Sequence, residues 1–176
     1  MVHNVCATGS KAGARVATVG LTVDHLKDDV VLSLGMGAGT CVAGWVVARG
    51  AELQHLYGVE IEPLATRVAR AAFPTARIAP NIADLELPHD GRLIVISSLV
   101  MNLVPPATAT EWAARIADAR REFLHLNIGR FDEPGALQAL EGAFRLRGLT
   151  PLAHRLPSDV DSYDCGYATT ATWWIR

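Results

Sequence analysis

Between Asp29 and Thr40 the chain reads DVVLSLGMGAGT, an apolar, β-branched run that breaks into three glycines at alternate positions, then a helical pattern and the segment LYGVEIE. Gly35, Gly37 and Gly39 let the backbone turn sharply and approach a ligand where any Cβ would collide. Glu60 follows Gly35 by 25 residues, at the end of the next strand-like run. In a parallel sheet wound through a helix, neighbouring strands bring their carboxyl ends to one crevice, and a carboxylate there can accept both hydroxyl protons of a ribose. The pattern therefore specifies a βαβ unit that holds a nucleoside.

The type of nucleoside follows from the spacing. A dinucleotide fingerprint requires Gly-x-Gly-x-x-Gly, whereas here the spacing is Gly-x-Gly-x-Gly and the sixth position is Thr40. A phosphate-cradling loop requires Gly-Lys-Ser/Thr, and no lysine occurs after Lys27.

The segment VLSLGMGAGT resembles the first motif of the class I S-adenosylmethionine-dependent methyltransferases, LYGVEIEPLATRVAR is similar to their second, and NIADLELPHDGRLIVISSLV resembles the third and fourth together. The resemblance runs from Val30 to the C-terminus. It implies S-adenosyl-L-methionine as cofactor, with Gly35, Gly37 and Gly39 facing its methionine and ribose portion. By the same resemblance Glu60 binds the ribose hydroxyls, Ile61 packs on the adenine and Asp84 reaches the adenine amino group. The family carries an acidic residue two before the first glycine, where this chain has Ser33, so the contact to the cofactor's amino group is altered. With Ser33 and Ser97 these residues make up the candidate cofactor set. Taken by itself, Asp84 reads equally as a loop carboxylate in water. Glu62, before Pro63, reads as a helix-start carboxylate.

The resemblance implies an α/β fold: a Rossmann-like, mostly parallel seven-stranded sheet flanked by helices, closed by an antiparallel C-terminal hairpin. The expected strands are Val30–Leu34, His55–Ile61, Arg77–Ala79, Leu93–Ser97 and Phe123–Ile128, with the runs LTPLAHRL and YATTATWWIR as the hairpin. Helices are expected from the glycine loop through Arg49, from Pro63 to Phe73, from a Thr108–Glu111 capping box to about Arg121, and from Asp132 and Pro134 to Gly148. Trp173 and Trp174, on opposite faces of their strand, read as packing residues. Residues 1–29 form an arm, read as partly helical or disordered, ahead of a single domain over 30–176.

Composition narrows the function. The 176 residues are 50% hydrophobic and suit one core. A net charge of −2 and a pI near 6.3 carry no basic footprint for nucleic acid. Arg115, Arg120 and Arg121 with Glu111 and Asp118 read as a solvated helix face. Three widely spaced cysteines write neither a disulfide framework nor a zinc site. The chain lacks an apolar run of membrane-spanning length, and a cytoplasmic setting without membrane association is expected.

The acceptor site belongs at the carboxyl ends of the fourth and fifth strands, where Ser97, Ser98 and Asn102 occupy one end and Asn127 or His125 the other. Asn102 and His125 are the candidate catalytic residues. Each has a plain alternative, Asn102 as a turn residue before VPP and His125 as a satisfied core histidine within FLHLNI. The Asn/Asp-Pro-Pro-aromatic signature of amino methylation is absent, since Pro105 and Pro106 follow Val104, and DNA-base methylation is disfavoured. The second motif is also similar to that of seven-strand histone lysine methyltransferases, whose paired asparagines are missing here, and VISSLV faintly resembles the aminocarboxypropyl transferases. The expected activity is methyl transfer to a small molecule or a protein side chain. Aminocarboxypropyl transfer from the same cofactor, or a cofactor-binding regulatory or partner module without catalysis, are the competing readings.

Overall fold

The computed structural model describes residues 29–43, 55–129, 135–155 and 168–176. Seven strands form one sheet: β1 (Val30–Leu34), β2 (Leu56–Val59), β3 (Arg77–Ala79), β4 (Leu93–Ser98), β5 (Glu122–Gly129), β6 (Thr150–Arg155) and β7 (Ala168–Ile175). Their order is β3-β2-β1-β4-β5-β7-β6. The pairs from β3 through β5 are parallel, whereas β7 runs antiparallel to both β5 and β6. The strand order reverses between β1 and β4, which opens a crevice at their carboxyl ends.

Three helices are described in full: α1 (Pro63–Ala72), α2 (Pro106–Ala119) and α3 (Ala136–Leu146). A helical turn also covers residues 40–43. The parallel strands β1, β2 and β4 are buried on both faces, as strands of nearly continuous apolar sequence require. One face packs Leu32, Leu34, Val95 and Phe123 against Trp112 and Ile116 of α2 and Leu140 and Phe144 of α3. The other packs Val31, Ile94, Ile96 and Leu126 against Ala69 of α1, Phe73 and Val42.

Glu62 caps α1 as expected: its Oε2 accepts from the Ala65 backbone N–H at 2.7 Å, with Pro63 in the first turn. α2 departs from expectation. It begins at Pro106, with Pro105 as its cap, so no Thr108–Glu111 capping box forms. The Pro106 ring already fixes a helical φ and lacks the N–H that a first turn leaves orphaned. Arg120 departs too, being buried at the end of α2, where its guanidinium donates to the Asp90 carbonyl at 2.8 Å. Arg115 and Arg121 stay exposed.

Asp132 and Pro134, the expected start of the next helix, lie outside the described residues, as do the arm before Asp29 and residues 44–54. α3 ends where Gly148 turns left-handed at φ 77° and the Leu149 N–H bonds back to the Phe144 carbonyl at 3.1 Å. The two tryptophans behave as packing residues. Trp174 is buried beside Phe144, at 5.1 Å between centroids, and Trp173 on the opposite face lies under the Arg92 guanidinium at 5.7 Å.

Candidate functional site

The glycine loop leaves β1 with all three glycines at positive φ: 60° at Gly35, 57° at Gly37 and 85° at Gly39. Two of them are also fixed by close approach. A Cβ on Gly35 would lie 2.4 Å from Val100, and one on Gly39 would lie 2.5 Å from Phe73. Gly37 is different, because a Cβ there meets nothing within 4 Å. Packing explains Gly35 and Gly39; at Gly37 a Cβ would face open space.

Glu60 reaches across to this loop. β2 stops at Val59, earlier than the expected Ile61, and the chain turns so that the Glu60 carboxylate accepts from the Gly37 N–H at 2.7 Å through Oε2 and from the Glu62 N–H at 2.8 Å through Oε1. An ionised carboxylate has about four lone-pair sites, so two bonds leave acceptor capacity. Ile61, next in the chain, is 79% exposed. A large apolar side chain held in water beside a carboxylate makes a platform for a flat apolar group. Asp84 stands exposed at the end of the 3-10 turn Ile82–Asp84 after β3.

Ser33 is buried in the middle of β1, level with Gly58 and Ile96. Ser97 is on the opposite face of the sheet, wholly buried, and its hydroxyl donates to Asn127 Oδ1 at 2.8 Å. Ser97 Oγ also lies within hydrogen-bond distance of His125 Nε2, at 2.7 Å. His125 is 2% exposed and edge-on to Phe144, and burial pushes its pKa down to about 4. It is neutral at pH 7, so the hydrogen-bonded chain His125, Ser97, Asn127 is uncharged.

After β4 the backbone takes a left-handed conformation at Leu99, φ 63°, costing roughly 1–2 kcal/mol for a non-glycine residue. This turn throws Val100 against Gly35 and starts the 3-10 turn Val100–Asn102. Asn102 is thereby carried over the end of β5: a Cβ on Gly129 would lie 2.9 Å from Asn102 Oδ1 and 3.7 Å from Asn127 Nδ2.

The structure thus brings Gly37 to Glu60, Gly35 to Val100, and Asn102 to Asn127 around Gly129. Among the described residues it does not bring Ser33 to Ser97, which lie on opposite faces. The continuous chain through Ser97 goes beyond the sequence reading, although its signal is visible as His125 and Asn127 at alternate positions of an apolar strand beside Ser97. The left-handed Leu99 has no sequence signal, because leucine does not favour that conformation.

No family model and no curated protein matches the chain. Solved structures do. Magnesium protoporphyrin IX methyltransferase from Synechocystis PCC 6803, solved with bound SAM, aligns with a TM-score of 0.66 at 14% identity over 98% of this chain and 81% of its own. A TehB-like SAM-dependent methyltransferase from Corynebacterium glutamicum gives 0.61 at 16% identity over 94% and 87%. Streptomyces venezuelae DesVI gives 0.60 at 15% identity over 99% and 96%. With the strand order, the antiparallel β7 and the glycine loop, these likenesses establish that the chain has the fold of the class I S-adenosylmethionine-dependent methyltransferases.

Proposed function

We propose that this protein is an S-adenosylmethionine-dependent methyltransferase acting on a small molecule or an exposed protein side chain. The observation that carries the reading is the clasp between Glu60 and the Gly37 N–H, beside a loop face that is open only at Gly37. The residues fit the cofactor: a carboxylate with acceptor capacity for a ribose diol, an exposed Ile61 for the adenine face, and Asp84 within the same edge of the sheet.

When bound, the cofactor supplies an electrophilic methyl group on a sulfonium. The chain's own task is then orientation and exclusion of water, which can deliver much of the rate without a dedicated acid or base. Glu60 fixes the ribose, and through Gly37 it also fixes the loop. The Val100–Gly35 contact ties the acceptor side, around Asn102, to the cofactor side. His125, buried and neutral with a weakly basic ring, serves as a positioning residue rather than a base. That position supports the core alternative for His125 and leaves Asn102 as the candidate in contact with the acceptor.

A cofactor-binding module without catalysis is favoured by one observation, the buried Ser33 in place of an acid. Calorimetry with S-adenosylmethionine, its demethylated product and a nicotinamide dinucleotide, followed by mass analysis of products from a metabolite extract, separates the readings. Binding of the sulfonium cofactor with addition of a methyl group to an acceptor is expected. Binding without turnover supports the module, addition of an aminocarboxypropyl group supports that transfer, and preference for the dinucleotide refutes the proposal.

A further inference from the structure

Gly58 lies within β2 and, unlike the three loop glycines, does not take a positive φ. A glycine inside a strand weakens it and marks a place of close approach. Here the approaching group is Met36, which supplies all three of the nearest atoms: a Cβ on Gly58 would collide with Met36 Sδ and crowd its Cβ and Cγ at 3.3 Å. Of the two side chains within the loop 35–39, Ala38 is exposed, whereas Met36 is 4% exposed and belongs to the core that holds Phe73 and Ala69. Its Cε in turn borders Gly39, at 3.6 Å from the position a Cβ would take there. A thioether with three rotatable bonds suits such an irregular slot. One buried side chain thus spans from β2 to the third glycine of the loop.

We infer that Met36 is a positioning residue of the cofactor site: seated on Gly58, it sets where the loop offers the Gly37 N–H to Glu60, and so holds that carboxylate for the ribose. This deepens the methyl-transfer reading and rests on it. Successive loop residues are stitched to successive residues at the end of β2. The Met36 N–H donates to the Val59 carbonyl at 2.9 Å, and the Gly37 N–H donates to Glu60 Oε2 at 2.7 Å. The Met36 carbonyl accepts from the Gly39 N–H at 3.0 Å. Glycines on both sides of Met36 leave the backbone wide conformational freedom, so the pin that fixes it is the side chain between them. A hydrogen bond weakens steeply as it loses alignment. A loop that slides on β2 therefore surrenders the Gly37 bond and releases the Glu60 carboxylate. Met36 is buried, and its influence on the cofactor passes through Gly37 and Glu60.

The test compares Met36→Ala with Ile116→Ala, a truncation at an equally buried site on α2. Both are titrated calorimetrically with the demethylated cofactor below their melting ranges. Met36→Ala is expected to raise Kd about tenfold, the weight of one hydrogen bond to a charged group, and Ile116→Ala to lower Tm with Kd unchanged. Wild-type affinity in Met36→Ala, or an equal loss in Ile116→Ala, overturns the inference. A second measurement needs no change at Met36. The chain has three methionines, so methyl-labelled methionine gives few signals, assigned by their loss in Met36→Leu and Met101→Leu. Glu60→Gln is expected to shift the Met36 methyl more than that of Met101; a Met36 signal that stays fixed overturns the inference even where Met36→Ala does not fold. Failure of the wild type to bind the cofactor overturns the methyl-transfer reading, and the methyl signals then still decide whether Met36 is tied to Glu60.

Discussion

Replacing Glu60 by glutamine tests the clasp directly. The carboxylate now accepts two backbone N–H groups, from Gly37 and Glu62. Glutamine keeps one acceptor oxygen and turns the other position into an NH2 that faces an N–H donor, so one of these bonds is lost. The Glu62 N–H is exposed and returns to water at little cost, whereas the Gly37 bond is partly buried. A hydrogen bond to a charged group contributes about 1.5–3 kcal/mol, less where solvent competes. Glu60→Gln is therefore expected to lower stability by roughly 1–2 kcal/mol, a fall in Tm of a few degrees for a chain of this size. If the same carboxylate also holds the ribose, cofactor binding weakens by a further ~1–3 kcal/mol, about a 5- to 150-fold rise in Kd. Calorimetry with the demethylated cofactor, run well below the melting range of both proteins, separates the two effects. A variant that melts early yet binds with unchanged Kd would show that Glu60 only braces the loop, and the ribose assignment would be refuted.

The remaining expectations concern the same elements. Gly37→Ala carries a backbone cost of roughly 1–2 kcal/mol and puts a methyl into open space, so it should hurt cofactor affinity more than stability; Gly39→Ala, driven into Phe73, should do the reverse, as paired melts and titrations would reveal. Asn102→Ala should lower single-turnover methyl transfer while leaving cofactor Kd nearly unchanged; normal turnover with a lower Tm would reduce Asn102 to a turn residue. His125 titrates near 6.5 when unfolded and about 4 when folded, so the unfolded chain binds the extra proton and stability falls as pH drops through this window. The full loss is about 3 kcal/mol. Denaturant melts from pH 7 to pH 4 should show this slope in the wild type and a flatter one in His125→Gln.

Much of the architecture is legible because it rests on short-range patterns. Val30–Leu34 reads as a buried strand from its β-branched run, Pro63 marks a helix start, and Gly148 marks a helix end, each a local preference that packing does not override. The start of α2 misleads because Thr108 and Glu111 fit a capping pattern while Pro106, two residues earlier, already satisfies the first turn. Arg120 misleads because its burial depends on Asp90, which lies on a distant part of the chain. In the candidate site, Gly37 and Glu60 are nameable from spacing, but their direct bond is not. The three-residue relay through Ser97 and the strained turn at Leu99 need strand register and backbone geometry, and neither is written in any single segment.

The insertion of β7 between β5 and β6 has a consequence for biosynthesis. β6 is made before β7 and pairs within the sheet with β7 alone, and β5 offers its outer edge to the same strand. Until residues 168–175 leave the ribosome, β5 keeps a bare edge, and the pocket for Trp174 beside Phe123 and Phe144 stays empty. A nascent chain stalled before that point presents an apolar, unpaired edge strand, the kind of surface that seeds aggregation. β5, which carries His125 and Asn127, therefore depends on the last of the seven strands to be made, and the sheet with its buried polar relay closes only once that strand is available.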